Sequence, residues 1–242
     1  MRHNLLRSGR GRPGAGASPS RAEMLYEFTK RCLDVFFSLA ALLLLSPVML
    51  VVALAVRLSG KGPVIFRQER AGLHGKPFTL YKFRTMRVDV DPFGASPKSA
   101  ADPRLTRVGR ILRETSLDEL PQLFNVLKGQ MSLVGPRPLY MAQMAEWNEH
   151  QKRRLEVKPG LTGLAQISGR GALTREEKLK LDVAYVDSRS LWLDVRIIFA
   201  TIGLIFGCKR IYEKEYSASE YTRGQSQVDN PNDGGSKSRF AS

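Results

Sequence analysis

The chain is expected to fold as a mainly helical α+β protein: an N-terminal re-entrant membrane helix hairpin, joined to a compact domain with short strands and interfacial amphipathic helices. Three observations predict this class. Residues 35–56, VFFSLAALLLLSPVMLVVALAV, carry no charge and are interrupted only by Ser38, Ser46 and Pro47. Basic residues crowd both flanks of that run. Downstream, two short β-like stretches are followed by several stretches with helical character.

Residues 1–22 are rich in Gly, Pro, Ser and Arg, cannot bury a core and read as a disordered basic tail. The membrane segment is bounded at 23–58. Its apolar run covers about 33 Å at the helical rise, close to the thickness of a bilayer core. It starts too deep in the chain, and is too long, for the core of a secretory signal. Lys30 and Arg31 precede it, with further arginines upstream, and Arg57, Lys61, Arg67 and Arg70 follow it. The positive-inside rule therefore names no flank that prefers translocation. Pro47 sits in mid-run, where proline removes a helix hydrogen bond and clashes with the preceding turn. A hairpin broken at Ser46-Pro47 keeps both basic clusters in the cytoplasm, and its freed carbonyls need cover from Ser46 or from protein. A proline-kinked helix that crosses the bilayer is the competing reading.

The globular part is bounded at 59–216, and 217–242 reads as a second disordered tail. Pro63–Phe66 and Pro77–Phe83 look like strands around a Gly72-Leu73-His74-Gly75 turn. Asp89 to Pro103 is loop-like. Helices are expected at Arg104–Leu112, Asp118–Leu127, Leu139–Glu156, Arg175–Asp187 and Leu191–Phe206. The last is too short in its uncharged part to span, so it is either a core helix or an interfacial one with Trp192 at headgroup level.

The 242 residues carry a formal net charge of +15, which calls for an anionic partner: nucleic acid, a nucleotide or an anionic membrane face. No helix-turn-helix, zinc module or aromatic RNA-binding motif is present, so no nucleic acid is expected. The two cysteines form neither a metal-ligand spacing nor a disulfide framework, and the three histidines have no metal or triad spacing. A P-loop is absent, as is a dinucleotide-binding glycine fingerprint.

Chemistry concentrates around Asp118-Glu119. Metal-assisted phosphoryl transfer needs ionised carboxylates among cations that hold phosphate. Ser116 and Glu119 have capping-box spacing, which places Asp118 in the first turn of a helix, although Pro121 allows Glu119 or Leu120 to be the cap instead. Lys82 and Arg84 alternate as on one face of a strand. Arg107, Arg110 and Arg113 recur every third residue. Pro136 and Pro138 bracket Arg137 and restrict its backbone, and a guanidinium can grip phosphate with two donors. Each cation taken alone reads more readily as a solvated surface charge; the acidic pair gives the set its meaning. The stretch 158–170, KPGLTGLAQISGR, is punctuated by glycines that could bring backbone N–H groups to a phosphate or a uracil edge.

Taken in order, KFRTM (82–86), DPRLTRVGR (102–110), TSLDELPQLFNVLKGQMSLVGPRP (115–138), KPGLTGLAQISGR (158–170) and LDVAYV (181–186) resemble the bacterial sugar transferases of the small monotopic phosphoglycosyl transferase type. The resemblance covers most of residues 25–206, and Ser46-Pro47 matches the family's re-entrant break. It implies transfer of a sugar 1-phosphate from a UDP-sugar to polyprenol (undecaprenyl) phosphate, with release of UMP, as the first membrane step of a glycan pathway. It implies Asp118 as nucleophile through a covalent aspartyl-phosphosugar, and Glu119 beside it. Asp118 and Glu119 would hold Mg2+, with Mn2+ possible. It further implies Arg113 and Arg137, with Lys82, Arg84, Arg110, Arg170 and Asp182, as substrate-binding residues. Anionic membrane lipids and downstream glycosyltransferases are the other implied partners. The implied location is the bacterial inner membrane, with both termini and the catalytic domain cytoplasmic.

Overall fold

The computed structural model describes residues 20–90, 97, 99 and 101–206. The two expected tails lie outside the described residues, apart from the few positions nearest α1. Helix α1 spans Arg21–Leu58 and opens with a capping box in which Ser20 and Glu23 satisfy each other's backbone N–H groups. It is helical across Pro47, where a non-helical break was expected. The reason is local. Pro47 cannot donate to the Leu43 carbonyl, and Ser46 Oγ takes that place at 2.8 Å. Between the flanks, large side chains such as Phe36, Leu43, Leu44 and Leu50 are exposed, with Leu44 79% accessible.

Both flanks of α1 dock on the globular part. At the N-terminal flank, Lys30 Nζ pairs with Asp194 at 2.6 Å, and Asp34 accepts from the Leu133 N–H at 3.0 Å. Arg31 donates to the Val126 and Leu127 carbonyls at 2.6 and 2.8 Å. At the other flank, Val52 and Val56 pack with Phe83 and Leu112 in one core cluster.

Strands β1 (Ile65–Ala71) and β2 (Pro77–Phe83) form the expected antiparallel hairpin, from Ile65 opposite Phe83 to Ala71 opposite Pro77. β1 runs further than its sequence suggests, because polar Arg67-Gln68-Glu69-Arg70 conceals the strand. Helix α2 (Arg107–Thr115) is capped by Thr106, and its Gly109 lies so close to Thr85 that a Cβ would sit 1.9 Å from the carbonyl oxygen. Helix α3 is Gln122–Leu127. Strand β3 (Ser132–Val134) pairs in parallel with β4 (Gly160–Thr162), a contact that the sequence did not reveal.

The helix expected over Leu139–Glu156 is in fact broken. A 3₁₀ turn over Met141–Glu146 is followed by α4 (Glu149–Lys152) and a second 3₁₀ turn over Arg153–Glu156. Trp147 and Asn148 are extended at the break, and the Asn148 side chain caps α4. After β4 come α5 (Leu164–Ser168), α6 (Arg175–Ser188) and α7 (Leu191–Phe206). Leu193 and Ile197 of α7 join Val134, Leu164 and Tyr185 in a core, while Trp192, Val195, Phe199 and Ile202 form an exposed apolar stripe. The core alternative for α7 thus holds for one face, while the other face is apolar and exposed.

Candidate active site

The acidic pair lies between α2 and α3, not within a helix. Ser116 ends α2 in the left-handed region (φ 59°, ψ 16°), and Leu117–Glu119 make one 3₁₀ turn. The capping box does not form: the Ser116 side chain makes no cap bond, and the Glu119 carboxylate turns to cations instead. Pro121, which lacks an N–H, then leads into α3, where that missing donor costs nothing.

This turn gives the two acids different environments. Glu119 Oε1 accepts from Lys82 Nζ at 2.9 Å and from Arg137 Nη2 at 2.6 Å. Lys82 reaches it from β2 and Arg137 from the segment after β3. Burial disfavours charge on Glu119, but Arg137 and Lys82 outweigh that cost and hold its carboxyl well below the usual carboxylate range. Asp118 is buried, 8% exposed, and takes no hydrogen bond from the described residues. Burial pushes its carboxyl up to about 6; Lys82 opposes the rise, Glu119 adds to it, and Arg113 and Arg137 oppose it. The turn therefore holds one fully ionised clamp beside one carboxylate with free lone pairs.

The other expected residues divide. Arg113, in the last turn of α2, is close enough for its charge to act on Asp118. Arg110 lies one turn earlier on the exposed surface of α2. Arg84 is not brought to the acids. β2 ends at Phe83, so the one-face alternation with Lys82 fails, and the buried Arg84 guanidinium donates to the Val56, Gly60 and Lys61 carbonyls at 3.0, 2.9 and 2.7 Å. It caps the C-terminal end of α1. Asp182, on α6, is also withdrawn from the surface: it pairs with Arg154 at 2.8 Å, and both side chains are almost fully buried. Arg170 opens a 3₁₀ turn after α5, and its side chain lies outside the described part.

The glycine-rich stretch braces the site through its backbone. Gly160 N–H donates to the Pro136 carbonyl at 2.9 Å, and Gly135 N–H donates to Thr162 at 2.8 Å. A Cβ on Gly160 or Gly163 would lie 2.0 or 2.1 Å from Gly135 backbone atoms. The Gly160 N–H, one of the backbone groups in this stretch, is therefore spent on the segment that carries Arg137. Arg154 was missed in the sequence, where it is one of three consecutive cations; nothing local separates it from the exposed Lys152.

Among the described residues no three acids, histidines or cysteines gather as a metal set. Mg2+ is commonly held by only one or two carboxylates and completed by substrate phosphates. Asp118, with its free lone pairs beside Glu119, fits such a site.

The family model described as bacterial sugar transferase matches residues 25–208. The sugar transferase EpsL of Bacillus subtilis, itself described as uncharacterized, is 46% identical over 199 residues, covering 82% of this chain and 98% of that protein. The exopolysaccharide production protein PSS of Rhizobium leguminosarum is 46% identical over 189 residues, 72% of this chain and 92% of that protein. The UDP-glucose:undecaprenyl-phosphate glucose-1-phosphate transferase of Escherichia coli is 46% identical over 191 residues, 76% of this chain but 41% of that longer protein.

Proposed function

Because the chain belongs to the bacterial sugar transferase family, we propose that it moves a sugar 1-phosphate from a UDP-sugar to polyprenol phosphate, releasing UMP and forming polyprenol-diphosphate-sugar. The observation that carries this reading is the contrast within the acidic pair: a buried Asp118 with free lone pairs beside a Glu119 locked between Lys82 and Arg137.

Asp118 is suited to be the nucleophile. A carboxylate out of water and without hydrogen bonds is more reactive than a solvated one, and a pKa near 6 leaves it mostly ionised at neutral pH. Its oxygen attacks the phosphorus that bears the sugar; the P–O bond to UMP breaks, and an acyl phosphate to the sugar remains on Asp118. An oxygen of the polyprenol phosphate then attacks the same phosphorus and returns the carboxylate. Lys82, Arg113 and Arg137 offset the charge that builds on the diphosphate. Glu119 keeps Lys82 and Arg137 in register, so they meet the donor without first being ordered. Asp118 and Glu119 would hold Mg2+, which supplies charge neutralisation to the leaving diphosphate oxygen.

The two docked flanks of α1 support a re-entrant path. A straight helix would set Asp34 and Val56 about 33 Å apart. Both residues nevertheless contact one globular body, Asp34 through β3 and Val56 through Phe83 and Arg84, while the apolar middle is exposed. A crossing helix would need that body on both sides of the bilayer. A helix that dips into the cytoplasmic leaflet and returns at Pro47 needs it on one side, with the α7 stripe of Trp192 and Phe199 lying in the same interface.

The test is UMP release by the protein in membrane-mimetic discs with Mg2+, undecaprenyl phosphate and a panel of UDP-sugars. UDP-glucose comes first, since it stands in the name of the E. coli relative. Release with one donor that Asp118→Asn abolishes is expected. Release that persists in the variant would remove Asp118 from the chemistry, and no release with any donor would count against the transfer itself.

A further inference from the structure

The segment that presents Arg137 has its carbonyls bonded one after another. Pro136 O accepts from the Gly160 N–H at 2.9 Å, and Leu139 O accepts from the Ala71 N–H at 3.0 Å. Between them, Arg137 O accepts from Arg154 Nη2 at 2.6 Å, and Pro138 O meets Arg70 Nη1 at 3.5 Å. Three of these four contacts are of good length, and only one of the three is made by a buried side chain. Arg154 is 3% exposed, far from ordinary for an arginine. Its Nε and Nη2 both reach Asp182 Oδ2, at 3.1 and 2.8 Å, and its guanidinium lies over the Trp147 ring, 4.8 Å from the centroid. Asp182 projects from α6 and reaches the segment through Arg154.

We propose that Arg154, fixed by Asp182 and Trp147, is a positioning residue that sets the Arg137 backbone so that the Arg137 guanidinium meets Glu119 beside the nucleophile. A buried ion pair contributes little net stability for its desolvation cost. Here its geometry does something a hydrophobic pair cannot: one Nη2 bridges a carboxylate on α6 and a backbone oxygen two bonds from the Cα of Arg137. Lysine would keep the charge and lose the fork, since one ammonium cannot reproduce the planar pair of donors to Asp182 together with the carbonyl bond. Asp182 therefore acts on the reaction through Arg154 and Arg137, not by contact with substrate. This rests on the transfer reading only for its kinetic test.

That test is a double-mutant cycle on kcat/KM for UMP release, combining Arg154→Lys with Arg137→Ala. Arg154→Lys alone is expected to lower kcat/KM tenfold or more. In the Arg137→Ala background it is expected to change it less than twofold, because the group it positions is gone. An equal loss in both backgrounds, or no loss in the first, overturns the proposal. Should Arg154→Lys fail to fold, Asp182→Asn replaces it in the same cycle. A second readout does not depend on turnover. Hydrogen exchange of the peptide over 133–140 should quicken in Asp182→Asn while peptides from β1 and β2 keep their protection. Unchanged exchange there overturns the clamp even if the wild-type protein proves inactive with every donor, an outcome that would by itself count only against the transfer reading.

Discussion

Asp118 and Glu119 are sequence neighbours with opposite electrostatics, and the difference predicts opposite behaviour on substitution. Asp118 is an acid whose folded-state pKa, about 6, is raised above its unfolded value. Between those two values the native state binds more protons, so this group makes stability fall as pH rises through that window. At neutral pH Asp118→Asn should therefore abolish turnover and also stabilise the fold, by up to about 3 kcal/mol; a thermal melt that shifts upward, with no UMP release, checks both. For the wild-type protein, kcat/KM should fall as pH drops through about 6, where the nucleophile takes up a proton. Glu119→Gln should move that limb to lower pH, because Glu119's charge raises Asp118 and its loss frees Lys82 and Arg137 to face Asp118. A limb that stays near 6 would mean that the Glu119 charge does not reach Asp118. The acids, Lys82 and Arg137 were legible in the sequence because their charges and bracketing prolines are local. The division of labour between the two acids was not, since it depends on Lys82 arriving from β2 and Arg137 from beyond β3.

At the scale of elements, Arg84 marks where local pattern misleads. Alternation with Lys82 assigned both to one strand face, yet the strand ends between them and Arg84 turns to the end of α1. Of its three carbonyl partners, Val56 at the helix C-terminus also accepts from Ser59, while Gly60 and Lys61 belong to the exposed turn after it. Arg84→Met should remove the buried guanidinium that ties these carbonyls to the end of β2 and cost about 2 kcal/mol, seen as a lower denaturant midpoint. Donor KM should stay within about twofold for the molecules that remain folded; a large rise in KM with unchanged stability would put Arg84 at the substrate after all. α1, α6 and α7 were readable from apolar runs and spacing, and α6 and α7 lie within a residue of expectation. The β3–β4 pairing and the broken stretch from Leu139 to Glu156 were not. Three-residue strands carry no period, and the break at Trp147 follows from burying that ring under Arg154, a partner chosen by the tertiary fold.

For the molecule as a whole, the open physical question in the sequence was which side of the membrane each basic flank occupies, and the tertiary contacts turn it into a test. Lys30, Arg31 and Asp34 are bound to the same body as Val52 and Val56, and the proposed re-entrant path accordingly puts the two flanks of α1 on one face. Cys32 is exposed on the N-terminal flank and reports on it directly. With Cys208 replaced by Ser, a membrane-impermeant maleimide applied to intact spheroplasts should leave Cys32 unlabelled, and the same reagent should label it once the membrane is opened. A second reporter, Lys61→Cys in a Cys32→Ser, Cys208→Ser background, should behave identically on the other flank. On the proposed path Pro47 would be the hinge, because it denies the helix one hydrogen bond and leaves Ser46 to cover the Leu43 carbonyl. Pro47→Leu restores the missing donor and favours a straight span. That variant should pull the N-terminal flank away from β3 and α7, so that Cys32 becomes labelled from outside while the Lys61→Cys reporter stays protected. Labelling of Cys32 from outside in the unsubstituted hinge would instead mean a crossing helix, which the Lys30–Asp194 pair could not survive.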